Sequence, residues 1–183
     1  MMSRLYQLSS TPNEHNLADT RNFSRAYRRR LPAEVLMDAV SDVTGLPDPL
    51  VAMPMGARAM QAWSYKIESH FLDAFGRPNS SSDCPCERDL QLSVVQSLHL
   101  MNSKALQGKL SHPEGRVHRL AASPLSPERI VDELYLLTLN RPPTEVERRK
   151  AVLAYAETGA SRQTATEDVL WALLNSAEFV FNH

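Results

Sequence analysis

Apolar residues recur at helical spacing along most of the chain. Pro32 fits the first turn of a helix and Glu34 follows it. Val35, Leu36, Ala39, Val40 and Val43 form a stripe that Gly45 closes. Prolines 47, 49 and 54 forbid a long helix from Leu46 to Met60, so this stretch reads as a loop, with a short extended piece over Met60 to Tyr65. Ile67 to Phe75 reads as a short helix. Gly76 to Asp83, rich in Ser and Asn, is the strongest break in the chain.

Beyond the break, Asp89 caps a predicted helix in which Leu92, Val95, Leu98, His99 and Asn102 fall on neighbouring rows. Ser103 to Leu110 and Gly115 to Ala122 are two further short helices. Ser126 with Pro127 opens another, striped by Ile130, Leu134 and Leu137 and ended by Arg141-Pro142-Pro143. Thr144 with Glu147 and Thr164 with Glu167 match the capping box, predicting helices that run to about Gly159 and Phe181. The core face of the last one is Leu170, Leu173, Leu174 and Ala177, with Trp171 beside it. Leu100 to Ser103 and Leu173 to Ser176 echo each other, and their Asn and Ser read as helix caps or stops. The predicted fold is all-α, seven or eight helices in a single domain over 31–183, preceded by a flexible basic arm over 1–30.

Length and composition agree with this pattern. A chain of 183 residues with 43% hydrophobic and 22% charged residues has ordinary globular usage, which excludes wholesale disorder and a disulfide scaffold. No run of about 18 apolar residues exists to span a bilayer. The first ten residues lack the apolar stretch of a signal peptide, so the chain alone is expected to stay where it is made. The net charge is -1, which removes any global attraction to nucleic acid. The arm is different: six arginines face only Glu14 and Asp19 there. Arg21, Arg25 and Arg28 to Arg30, interleaved with Phe23 and Tyr27, have the composition of a nucleic-acid arm. The preferred reading is arginine stems packed on the domain, with solvated or paired heads. The helix pair around Arg141 to Pro143 imitates a helix-turn-helix, but Glu145 and Glu147 offset Arg148, Arg149 and Lys150.

Candidate chemistry centres on one loop. Cys84 and Cys86 supply two soft ligands beside Glu87, and His99 lies toward the apolar face of the following helix. Such a set suits zinc. The spacing is not that of a standard zinc site, so the competing reading is two small thiols around a proline turn and a core histidine. A disulfide between Cys84 and Cys86 would close a strained ring, so free thiols are expected. C-x-x-C-H is absent, which excludes covalent haem attachment, and neither a nucleophile elbow nor a phosphate-binding glycine loop is present. His70, His112, His118 and His183 read as surface residues.

Seven segments in order carry a resemblance. They are Tyr6 to Ser10, Arg29 to Glu34, Phe75-Gly76-Arg77-Pro78, Cys84 to Arg88, Leu98 to Ser103, Asn140 to Thr144 and Trp171 to Phe179. Together they resemble the planctomycete-type domain of unknown function fifteen-fifty-three, over almost the whole chain. The resemblance implies the C-terminal part of a large exported protein, behind a companion domain and often a cytochrome c module. It implies no activity for any residue. The start of the chain then reads as the middle of a longer protein, and relatives are expected outside the cytoplasmic membrane. The expected function is a non-catalytic helical scaffold or docking module of a larger cell-envelope protein. Its expected partner is the companion domain or another protein. The alternative is a subdomain of a metal-dependent or polysaccharide-acting enzyme using Cys84, Cys86, Glu87 and His99.

Overall fold

The computed structural model describes residues 4–19, 21–51, 53–62, 67–77, 103–157 and 159–182. Within them the fold is all-α. Eight α-helices follow in order: α1 Ala33–Thr44, α2 His70–Ala74, α3 Lys104–Leu110, α4 Arg116–Ala122, α5 Pro127–Leu139, α6 Glu145–Leu153, α7 Arg162–Leu174 and α8 Ala177–Val180. Single 3-10 turns lie at Arg4–Gln7 and Ala59–Gln61. The described sheet is one antiparallel pairing of β1 (Arg29–Arg30) with β2 (Phe181–Asn182), extended by the Leu31 amide donating to Val180 O.

Capping fixes most helix starts. The hydroxyls of Ser103, Ser126, Thr144 and Ser176 each accept the backbone N–H three residues on, satisfying a donor with no partner inside the helix. Thr144 and Glu147 form the full reciprocal box. The second expected box is corrected. Ser161 caps α7 and accepts from Thr164 N, so Thr164 sits inside the first turn. Arg162 holds this earlier start by donating to the carbonyls of Ala121, Ser123 and Leu125. The last helix also stops sooner than expected, because Asn175 Nδ2 turns back to Trp171 O and Ser176 begins α8.

The core runs along α7, which packs on α3, α4, α5 and α8. Leu134, Leu170 and Leu174 are fully buried there, together with Ile130 and Val131. Ala177 is exposed and Trp171 half-buried, so Val169, Phe179 and Val180 complete the face assigned to Ala177. The buried face of α1 is likewise rotated from its sequence stripe. Leu36, Val40 and Val43 are inside, joined by Met37, while Val35 and Ala39 are half-buried. Glu34 and Asp38 are buried on this helix as well. Asp38 has a visible reason, since its carboxylate accepts from Ala59 N at 2.7 Å and Met60 N at 3.1 Å and so caps that 3-10 turn. Gly45 ends α1 in the left-handed region at φ 73°, where a Cβ would also approach Arg119 Nη2 to 2.8 Å.

Candidate functional site

Cys84, Cys86, Glu87 and His99 lie outside the described residues, as does the predicted helix from Asp89. Among the described residues no group of three or more His, Cys, Asp or Glu is placed to hold a metal ion. His70, His112 and His118 are exposed, as expected.

A polar concavity lies at the C-terminal end of α1. It encloses about 290 Å³ between that helix and the 46–59 segment, with Asp42, Asp48, Arg58 and Arg116 in its wall. The end of a helix presents unpaired carbonyls and a partial negative charge, which attract cations. Arg116 meets that demand: its Nε donates to Val43 O at 2.8 Å and its Nη2 to Asp42 O at 3.0 Å. Lys109, from α3, donates to Leu46 O at 2.8 Å, to Asp48 Oδ2 at 2.6 Å and to Ser41 Oγ at 3.2 Å. At the exposed rim Arg58 Nη2 donates to both Asp42 oxygens, at 2.6 and 2.7 Å.

The contact between Ser41 and Lys109 has the separation of a serine-lysine dyad. Such a dyad needs a lysine with a free lone pair to take the hydroxyl proton. Here three acceptors match the three N–H donors of an ammonium, and none of its valence is left to act as a base. Ser41 Oγ in turn donates to Asp48 at 3.1 Å. The cluster is therefore a bracket that ties the 46–48 segment to α1 and α3. It brings together residues 61 to 68 positions apart, so no local sequence signal announced it.

A second bracket joins two of the resemblance segments. Asn140 ends α5 in the left-handed region at φ 54° and turns the chain into Arg141. The Arg141 guanidinium then donates to both oxygens of Glu178, at 2.6 and 2.7 Å, and to both oxygens of Glu147, at 2.9 and 2.8 Å. Its carbon lies 5.7 Å from the Tyr135 ring centroid. Hydrogen bonds from Arg141 first, then from the Thr144 amide, lower the Glu147 carboxyl from its ordinary 4.5 to about 2. Burial, then the charge of Glu147, raises the Tyr135 hydroxyl. The double fork locks the α5 to α6 turn onto α8.

The third bracket joins the segments around Arg30 and Phe75. Arg30 is buried, donates from Nη2 to Phe75 O at 2.8 Å and stacks its guanidinium 5.6 Å from the Phe75 ring centroid. Arg77, also buried, donates to Ile67 O and to Asp73 Oδ1 at 3.1 Å. Phe71 stacks on Phe75 with centroids 4.6 Å apart. These contacts tie the stretch leading into α1 to the end of α2.

Two cations of α6 are engaged, and one of them reaches α5. Arg148 donates to Asp132 at 2.9 Å and to Glu145 at 2.6 Å, and Arg149 donates to Glu145 O. No helix among the described residues is long and apolar enough to cross a membrane.

The charged side chains named in these segments thus reach across the fold to hold one element against another. No curated protein and no solved structure matches the chain. The family model PSD1, protein of unknown function (DUF1553), matches residues 1–155, a span that includes the Arg30, Phe75 and Arg141 segments. The chain belongs to this family of proteins of unknown function.

Proposed function

We propose that this domain is a non-catalytic helical scaffold or docking module within a larger cell-envelope protein, and that its partner is the companion domain. One observation carries the reading. The 46–61 segment exposes Val51 at 66%, Met55 at 91% and Met60 at 60% of their surface. The segment is fastened at both ends: Lys109 holds Leu46 and Asp48, Asp42 holds Arg58, and Asp38 holds Ala59 and Met60. Large apolar side chains on a fixed support suit recognition of another apolar surface, and methionine adapts its shape to the surface it meets. The brackets around the segment add to this, because they support its ends and engage the Ser41 hydroxyl and the Lys109 amine in structural hydrogen bonds.

The test is a calorimetric titration of the companion domain, supplied as a separate polypeptide, into wild type and into the Val51→Ser, Met55→Ser, Met60→Ser triple variant. All three residues are exposed, so the fold should survive, with circular dichroism as the check. Binding at least about tenfold weaker in the variant is expected, since such residues dominate interface energies when buried. Equal binding by both proteins, or no binding by wild type, would overturn the proposal.

A further inference from the structure

The arm holds a cavity that none of the brackets uses. It is open, encloses about 380 Å³, and is lined by Ser10, Thr11, Pro12, Arg25, Tyr27 and Arg28. Arg28 Nε donates to Ser10 Oγ at 3.0 Å, which leaves the Ser10 hydrogen free to donate elsewhere. The Arg25 guanidinium covers the Tyr27 ring at 5.1 Å from its centroid, and Phe23 leans on the same ring at 5.6 Å. Arg25 Nε and Tyr27 Oη are both buried with no hydrogen-bond partner. Shut off from water, these two atoms belong to the backing of the cavity and not to its accessible face.

The electrostatics point the same way. Among the described residues no carboxylate forms an ion pair with Arg25 or Arg28. Asp19, one of the two acids of the arm, is consumed locally. Its carboxylate accepts from the Ser24 hydroxyl and from the amides of Asn22, Arg21 and Ser24, and these bonds hold it well below the usual carboxylate range. The lining therefore carries two guanidinium groups and the Ser10 and Thr11 hydroxyls, with no carboxylate among them.

We infer that this cavity binds a tetrahedral oxyanion, a phosphate or sulfate group. Guanidinium forks recognise such oxygens with paired hydrogen bonds. The Arg25 and Arg28 guanidinium groups with the Ser10 and Thr11 hydroxyls put donors on four side chains of the lining, and a tetrahedral group offers acceptors in several directions. The volume is larger than one such group needs, so the oxyanion belongs on a small organic molecule as readily as in free form.

The full chain labelled with nitrogen-15 is titrated with inorganic phosphate against chloride at constant ionic strength, following the arginine Nε–H resonances. Saturable shifts at Arg25 and Arg28 are expected, with a dissociation constant of about 1 mM or tighter. Arg25→Gln and Arg28→Gln should each weaken binding at least about tenfold, while Arg29→Gln, exposed and outside the lining, should leave it within about twofold. A spectrum otherwise like wild type shows that each variant is folded. A sugar phosphate that binds as tightly as inorganic phosphate, or more tightly, supports the proposal and assigns the oxyanion to a small molecule. Shifts that never saturate, or an equal loss in Arg29→Gln, would overturn it. Binding of a single-stranded oligonucleotide alone would overturn it in favour of a polyanion surface.

Discussion

Arg141 and Arg28 carry the same guanidinium in opposite surroundings. Arg141 meets two carboxylates in a double fork and is backed by Tyr135, whereas Arg28 meets one serine hydroxyl at the edge of an open cavity. The first arrangement closes on itself and holds three elements together. The second leaves positive charge facing outward. An arginine-rich segment therefore says little about function until the acceptors of each guanidinium are known, and those acceptors are often distant in sequence.

The largest effect should come from opening the closed cluster. Arg141→Met leaves Glu147 and Glu178 facing each other without their shared counter-charge, and should destabilise the protein by about 2 to 3 kcal/mol in urea unfolding. This is smaller than for a fully buried triad, because all three side chains are one-third exposed and water screens them. An effect below about 0.5 kcal/mol would make Arg141 equivalent to an arm arginine.

Acid should expose the same contrast. The Glu147 carboxyl titrates lower in the folded chain than in the unfolded one, so its contribution is fully present above about pH 4.5 and is lost as pH falls toward about 2. Wild type should lose more stability than Glu147→Gln between pH 6 and pH 3, by roughly 1 kcal/mol after allowing for solvent screening. Parallel pH curves for the two proteins would remove Arg141 as the cause. The smallest effect belongs to the arm: Arg25→Gln and Arg28→Gln should change unfolding free energy by less than about 0.5 kcal/mol. A larger loss in either would mean that the arm arginines hold the fold as Arg141 does.

Where a helix begins was legible wherever the signal was local. Ser103, Ser126 and Thr144 cap helices because each hydroxyl needs only the amide three residues ahead. The signal failed at Thr164, where Ser161 offers the same chemistry one turn earlier and Arg162 reaches across to the end of α4 to hold it there. The buried face of α1 departs from its sequence stripe for a similar reason. Asp38 is buried because its partners are the amides of Ala59 and Met60, more than twenty positions away. Cys84, Cys86, Glu87 and His99 stand out in the sequence by side-chain chemistry alone. The polar cleft and the brackets were missed because Lys109 with Asp48, and Arg141 with Glu178, join only after the chain has folded.

The bracketing charged residues, Arg141 with Glu178 foremost, hold the domain together. The most direct test of this is a double-mutant cycle on Arg141 and Glu178, using Arg141→Met, Glu178→Gln and the pair, unfolded in urea at pH 7. A favourable coupling of about 1 to 2 kcal/mol is expected, as for a hydrogen-bonded ion pair that is partly shielded from water. A coupling within about 0.3 kcal/mol of zero, with wild-type circular dichroism in all variants, would contradict the account and leave Arg141 available for another role.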